Sequence, residues 1–229
     1  MDNLEPGQTH RRRTGIAALV LGLTFVVGFA TPSASAAADY KKDLYFSGGY
    51  ERQVDNRTCT AASTAMMLNF IARRDLDLGQ LYMLRWAQTR DALVDSRQRG
   101  TDPLGWSRML TNFSSRAGKG YFRYHWEAYG SEYSALKRAA KQIAVTNKPV
   151  GLLVQSGEHA VVMTGFESSG DPRKGDFKLT HVWVSDPYGS RHVRYTTSGS
   201  PLNKYLETDA TSEYDEAWYG RYVLVVPQY

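Results

Sequence analysis

The sequence predicts an α+β fold: a helical N-terminal half with a central buried helix, packed on a C-terminal antiparallel sheet. Three observations predict it. Residues 59–72 are apolar on nearly every side, the pattern of a helix enclosed by the rest of the chain. Residues 131–146 carry Tyr133, Leu136, Ala140, Ile143 and Ala144 on one face and Lys137, Arg138 and Lys141 on the other, the pattern of an amphipathic helix. After Asn147 the chain turns to β-branched and aromatic runs punctuated by Gly, Pro, Asp and Ser. Helices first and strands second is an α+β arrangement.

Taken in order, residues 1–38 read as a secretory signal peptide. Arg11, Arg12 and Arg13 precede an uncharged apolar stretch over 16–30, and Ala34-Ser35-Ala36 or Ala36-Ala37-Ala38 offers a small-residue cleavage site. The stretch is shorter than the ~20 residues that span a bilayer, which favours cleavage over a retained anchor. The arginine cluster is also a loose match to a twin-arginine export signal. The expected mature domain, 39–229, is large enough for a real core. It is therefore expected outside the cell, extracellular or wall-associated, with no membrane attachment after cleavage.

The 229-residue chain has a net charge of +5. Losing Arg11–Arg13 together with Asp2 and Glu5 lowers it to +4. Basic and acidic residues are interleaved, so the surface reads as solvated, with no nucleic-acid groove. No metal-ligand spacing, phosphate loop or dinucleotide fingerprint occurs.

Residues 39–57 are mixed and turn-rich and are expected to cover the surface before the first helix, with Asp55 and Asn56 as N-terminal caps. Arg73 and Arg74 end that helix. A second helix is expected over 79–95, a third over 103–116 with Pro103 in its first turn, and a fourth over 131–146. Strands are expected over 149–155, 160–167, 178–185, 192–197 and 221–226. The aromatic cluster 121–126 reads as core packing, with a carbohydrate- or peptide-binding shelf as the other reading.

Cys59 is the only cysteine. The bland reading is a small buried hydrophobe. The other is a nucleophile, because an unpaired thiol in an exported protein is an oxidative liability. At a helix N-terminus it feels the positive end of the helix dipole, which favours thiolate, as does a neighbouring imidazolium. His159 and Asp186 supply that neighbour. If the two runs flanking the loop 169–176 form a regular antiparallel pair, His159 stands opposite Asp186, about 4.5–5.5 Å away between α-carbons. An aspartate so placed orients the imidazole. The same parity turns His181 to the other face, and Glu158 likewise alternates away from His159. His125 and His192 have no partner pattern, and His10 leaves with the leader. Gln53, six positions before Cys59, offers a side-chain amide which, with the Cys59 backbone N–H, would hold an oxyanion.

The segments Gln53-Val-Asp-Asn-Arg-Thr-Cys59-Thr-Ala-Ala-Ser-Thr-Ala-Met-Met, Gly157-Glu-His159-Ala-Val-Val-Met-Thr-Gly165-Phe and Val184-Ser-Asp186-Pro-Tyr-Gly resemble one branch of the papain-fold cysteine peptidases. That branch is the bacteriocin-processing (double-glycine) peptidase-like group of bacterial proteins. The similarity runs from about Tyr45 to Arg191. It implies Cys59 as nucleophile, His159 as base, Asp186 as orienter and Gln53 as oxyanion donor, in a cleft between a helical half and a sheet half. It implies a peptide or protein substrate and no cofactor beyond a reduced thiol. Two features depart from it. Thr60 stands where members commonly have Gly, which points to a narrower cleft or an altered backbone approach. The sequence given has no transporter or ATPase portion, so leader-peptide processing at a membrane does not carry over. The alternatives are a non-catalytic binding module on a degenerate peptidase fold, a transglutaminase-like acyltransferase, and an NlpC-type cell-wall endopeptidase.

Overall fold

The computed structural model describes residues 39–92, 100–189, 192–198, 218 and 220–228. The expected leader, 1–38, lies outside them, as does most of the end of the second expected helix. Among the described residues no helix is long and apolar enough to cross a membrane.

Among the described residues, four α-helices and seven strands follow in the order β1 Asp39–Asp43, α1 Cys59–Ala72, α2 Gln80–Gln88, α3 Pro103–Phe113, β2 Tyr124–Tyr129, α4 Glu132–Thr146, β3 Val150–Val154, β4 His159–Ser169, β5 Lys178–Ser185, β6 Val193–Thr196 and β7 Tyr222–Pro227. The strands form one antiparallel sheet in the order β2-β7-β3-β4-β5-β6, with β1 on the distal half of β4. Strand alternation divides the core into two layers. Val150, Leu152 and Val154, Val161 and Met163, and Leu224 and Val226 face α4. Ala160, Val162 and Val225, one residue out of step, face α1, α2 and α3.

The helices start and stop for local reasons. The Asp102 carboxylate accepts from Gly105 N at 2.7 Å and Pro103 fills the first turn of α3. Ser131 caps α4 by accepting from Ser134 N, and Asn147 closes it in the left-handed region at φ 57°. α1 differs from expectation at its start. Its N-cap is Thr58, which makes no side-chain cap bond. Asp55 instead builds the preceding turn, its backbone carbonyl accepting from Thr58 N and its carboxylate from Arg57 N.

Two strands depart from a helices-then-strands order. β1 is too polar to be read from its pattern, and is held by pairing to β4 and by Tyr40 stacked on Phe166 at 5.6 Å. β2 uses part of the aromatic cluster, paired with β7 about a hundred residues on. Phe122 and Tyr124 are buried there, so the core-packing reading holds for them, while Tyr121 is 62% exposed. α2 ends at Gln88, short of its expected extent, and α3 gives way after Phe113 to a 3₁₀ turn over Ser114–Ala117.

α3 lies against the sheet through Trp106, whose Nε1 donates to Thr64 Oγ1 at 3.1 Å. Its ring covers Gly151, where an added Cβ would stand 2.5 Å from the indole carbons. Gly151→Ala is therefore expected to push α3 off the sheet and lower stability by about 1–3 kcal/mol, measurable by urea unfolding.

Candidate active site

Cys59 is the first residue of α1, His159 the first residue of β4, and Asp186 the residue after β5. The fold brings all three together. His159 Nε2 and Asp186 Oδ1 are 2.7 Å apart, and Cys59 lies near enough to the same imidazole to favour its charged form. The three are 7–8% exposed.

The contact forms by a different register from the one expected. Val162 pairs with Ser185 and Met163 with Val184, and irregularities follow between Met163 and Gly165 and between Glu167 and Ser168. His159 is thus not opposite Asp186; continuing the observed register sets Asp186 beside Val161. The offset is an even number of residues, so both side chains still point to one face and meet diagonally. At the first irregularity β1 pairs so close to β4 that a Cβ on Gly165 would lie 2.5 Å from the Lys42 carbonyl oxygen.

Local bonds fix each member. Asp186 Oδ1 also accepts from Tyr188 N at 2.8 Å, an Asx turn that sets the carboxylate rotamer. Tyr50 Oη donates to the Asp186 carbonyl at 3.0 Å. Ser63, one turn along α1 from Cys59, donates to the carbonyl of Ala160 at 3.1 Å, which ties the helix that Cys59 opens to the residue after His159. Sequence reasoning singles out neither Ser63 nor Tyr188, whose ring meets His159 edge-on at 6.4 Å. Tyr188 carried a signal in standing two positions after the aspartate.

Burial disfavours a charged His159, but hydrogen bonds to Asp186 and Cys59 and their negative charge outweigh it, raising the imidazole from 6.5 to about 9. Below that pH the ring is held as imidazolium.

Gln53 lines the same cleft as His159 and Asp186. Its backbone N–H donates to the Pro187 carbonyl at 3.0 Å, and its Nε2 donates one hydrogen to the Asp55 carbonyl at 2.8 Å. Gln80, buried at the start of α2, holds this loop by accepting from Val54 N and donating to the Arg52 carbonyl. The first bond within α1 runs from Ala62 N to the Thr58 carbonyl, so the Cys59 N–H precedes the helical ladder.

Asn56, Gln155, Glu158 and Tyr188 complete the cleft lining. Thr60 is not part of it. Its side chain is buried at 2% exposure, so it does not narrow the opening. His181 pairs with Glu167 at 3.0 Å and His192 with Asp43 at 2.9 Å, both away from Asp186. Among the described residues no group of three or more His, Cys, Asp or Glu could hold a metal ion.

A buried helix that opens on a cysteine packs on an antiparallel sheet and brings that cysteine to a histidine–aspartate pair. The chain belongs to the Peptidase_C39 like family, whose pattern matches residues 49–214. No curated protein matches it. Among solved structures it is similar to UfSP from C. elegans, at 16% identity and a TM-score of 0.40, over 79% of this chain and 32% of that one. The chain thus spans about a third of that protein's length.

Proposed function

We propose that the protein cleaves peptide bonds outside the cell, with Cys59 as nucleophile, His159 as proton donor and base, Asp186 as the residue that orients and charges the imidazole, and Gln53 as an oxyanion donor. The observation that carries this is one imidazole engaged by both Cys59 and Asp186, with the Asp186 contact at 2.7 Å. The Cys59 thiolate attacks the scissile carbonyl carbon, and the C=O electrons move to oxygen. Gln53 Nε2–H and the Cys59 N–H stabilise that charge. As the C–N bond breaks, the imidazolium proton passes to the departing nitrogen and leaves a thioester on Cys59. The now neutral His159 takes a proton from water, hydroxide attacks the thioester, and thiolate and imidazolium are restored with release of the acid. Asp186 keeps its charge throughout.

Export rests on the arginine-led apolar stretch of residues 1–38. The test of activity is hydrolysis of a peptide library by the reduced 39–229 protein. Cleavage that stops on treatment with iodoacetamide supports the reading. Peptide binding without cleavage contradicts it.

A further inference from the structure

We infer that Glu158, flanked by Gln155 and Tyr188, forms a subsite for a cationic substrate side chain, Lys or Arg, next to the scissile bond. The inference rests on the peptidase reading above and adds to it the charge of the preferred substrate.

Two observations carry it. The first is the charge left over in the cleft. Two carboxylates line it, and Asp186 is occupied by His159. Glu158 is exposed and has no partner for its carboxylate among the described residues. The remaining lining is neutral apart from His159: Gln53, Asn56, Gln155 and Tyr188. Amide oxygens accept from a guanidinium or ammonium, and the Tyr188 ring, 70% exposed, offers a face to an alkyl stem or cation.

The second is the backbone that presents it. Between β3 and β4, Gln155 and Ser156 both sit in the left-handed region at φ 53° and 55°, followed by Gly157 at φ 91°. Two consecutive side-chain-bearing residues there are strained and persist only where their surroundings over-determine them. The result is that Glu158 leaves strand geometry, with φ −85° and ψ −9°, its N–H donating to the Gln155 carbonyl at 3.0 Å. In a regular strand Glu158 would point away from His159. The turn breaks that alternation, and both residues line one cleft.

The test reads the cleft's charge preference at Cys59 without requiring a known substrate. Three methanethiosulfonates are compared on the reduced protein: one carrying a trimethylammonium, one a sulfonate, and the neutral methyl reagent. In Glu158→Gln the ratio of cationic to anionic labelling rates is expected to fall about tenfold, with the neutral rate unchanged. Peptides with Lys beside the cleavage point should lose kcat/KM in parallel, while Ala-containing peptides keep theirs. A ratio equal in the two proteins overturns the subsite and leaves the peptidase reading standing. A neutral-reagent rate indifferent to His159→Ala overturns the peptidase reading, and the subsite with it.

Discussion

Cys59→Ala is expected to abolish peptide hydrolysis, by a factor of the order of 10⁴ or more, with folding preserved. No other thiol exists in the chain to take its place. The side chain removed is small and lies at the first position of α1, where alanine is a good helix former, so the loss of stability is about 1 kcal/mol or less. Peptide affinity should survive, because Gln53, Asn56, Glu158 and Tyr188 remain in the cleft. Hydrolysis rate, circular dichroism and peptide binding, measured together, check the prediction. Retained hydrolysis would move the chemistry elsewhere.

Asp186 is expected to act on both activity and stability, and two substitutions separate the effects. Asp186→Asn keeps an oxygen for the His159 ring and Tyr188 N–H but removes the charge. The imidazolium is then less favoured, so the alkaline limb of activity moves below its wild-type position near 9, and kcat/KM falls about 10²-fold. Asp186→Ala leaves a charged, nearly buried ring without its acceptor and costs about 3–5 kcal/mol near pH 6. The sign of the pH dependence follows from the raised His159. A group that binds its proton more tightly in the folded state contributes fully below its unfolded pKa of about 6.5 and ceases to contribute as pH rises through about 9. The penalty of Asp186→Ala should therefore be larger at pH 6 than at pH 10, as read by urea unfolding at both. A purely steric role predicts equal penalties.

Much of this site was legible in the residues. Cys59 was readable as a helix start because the apolar run begins there, and β5 because it is bounded by turn residues on both sides. The His159–Asp186 pairing was readable as a shared face, but its register was not. The first irregularity in β4 falls at Gly165, where β1 pairs closely, and β1 itself is a polar strand whose pairing partner lies over a hundred residues away. A glycine within an apolar run was the available sign of that close approach. β2 was hidden for a similar reason: its aromatic residues fit a strand or a cluster equally, and β7 decides between them. Glu158 was set aside on strand alternation, a rule that the left-handed turn at Gln155 and Ser156 suspends. Nothing local in Gln155-Ser156 announces positive φ.

The central claim is that Cys59 and His159 form a thiolate–imidazolium pair. The most direct test is the rate of iodoacetamide alkylation of Cys59 against pH, in the reduced protein and in His159→Ala. The account predicts that His159→Ala slows labelling at neutral pH by at least about tenfold and changes its dependence on pH. A labelling rate and pH profile that ignore His159 would contradict it.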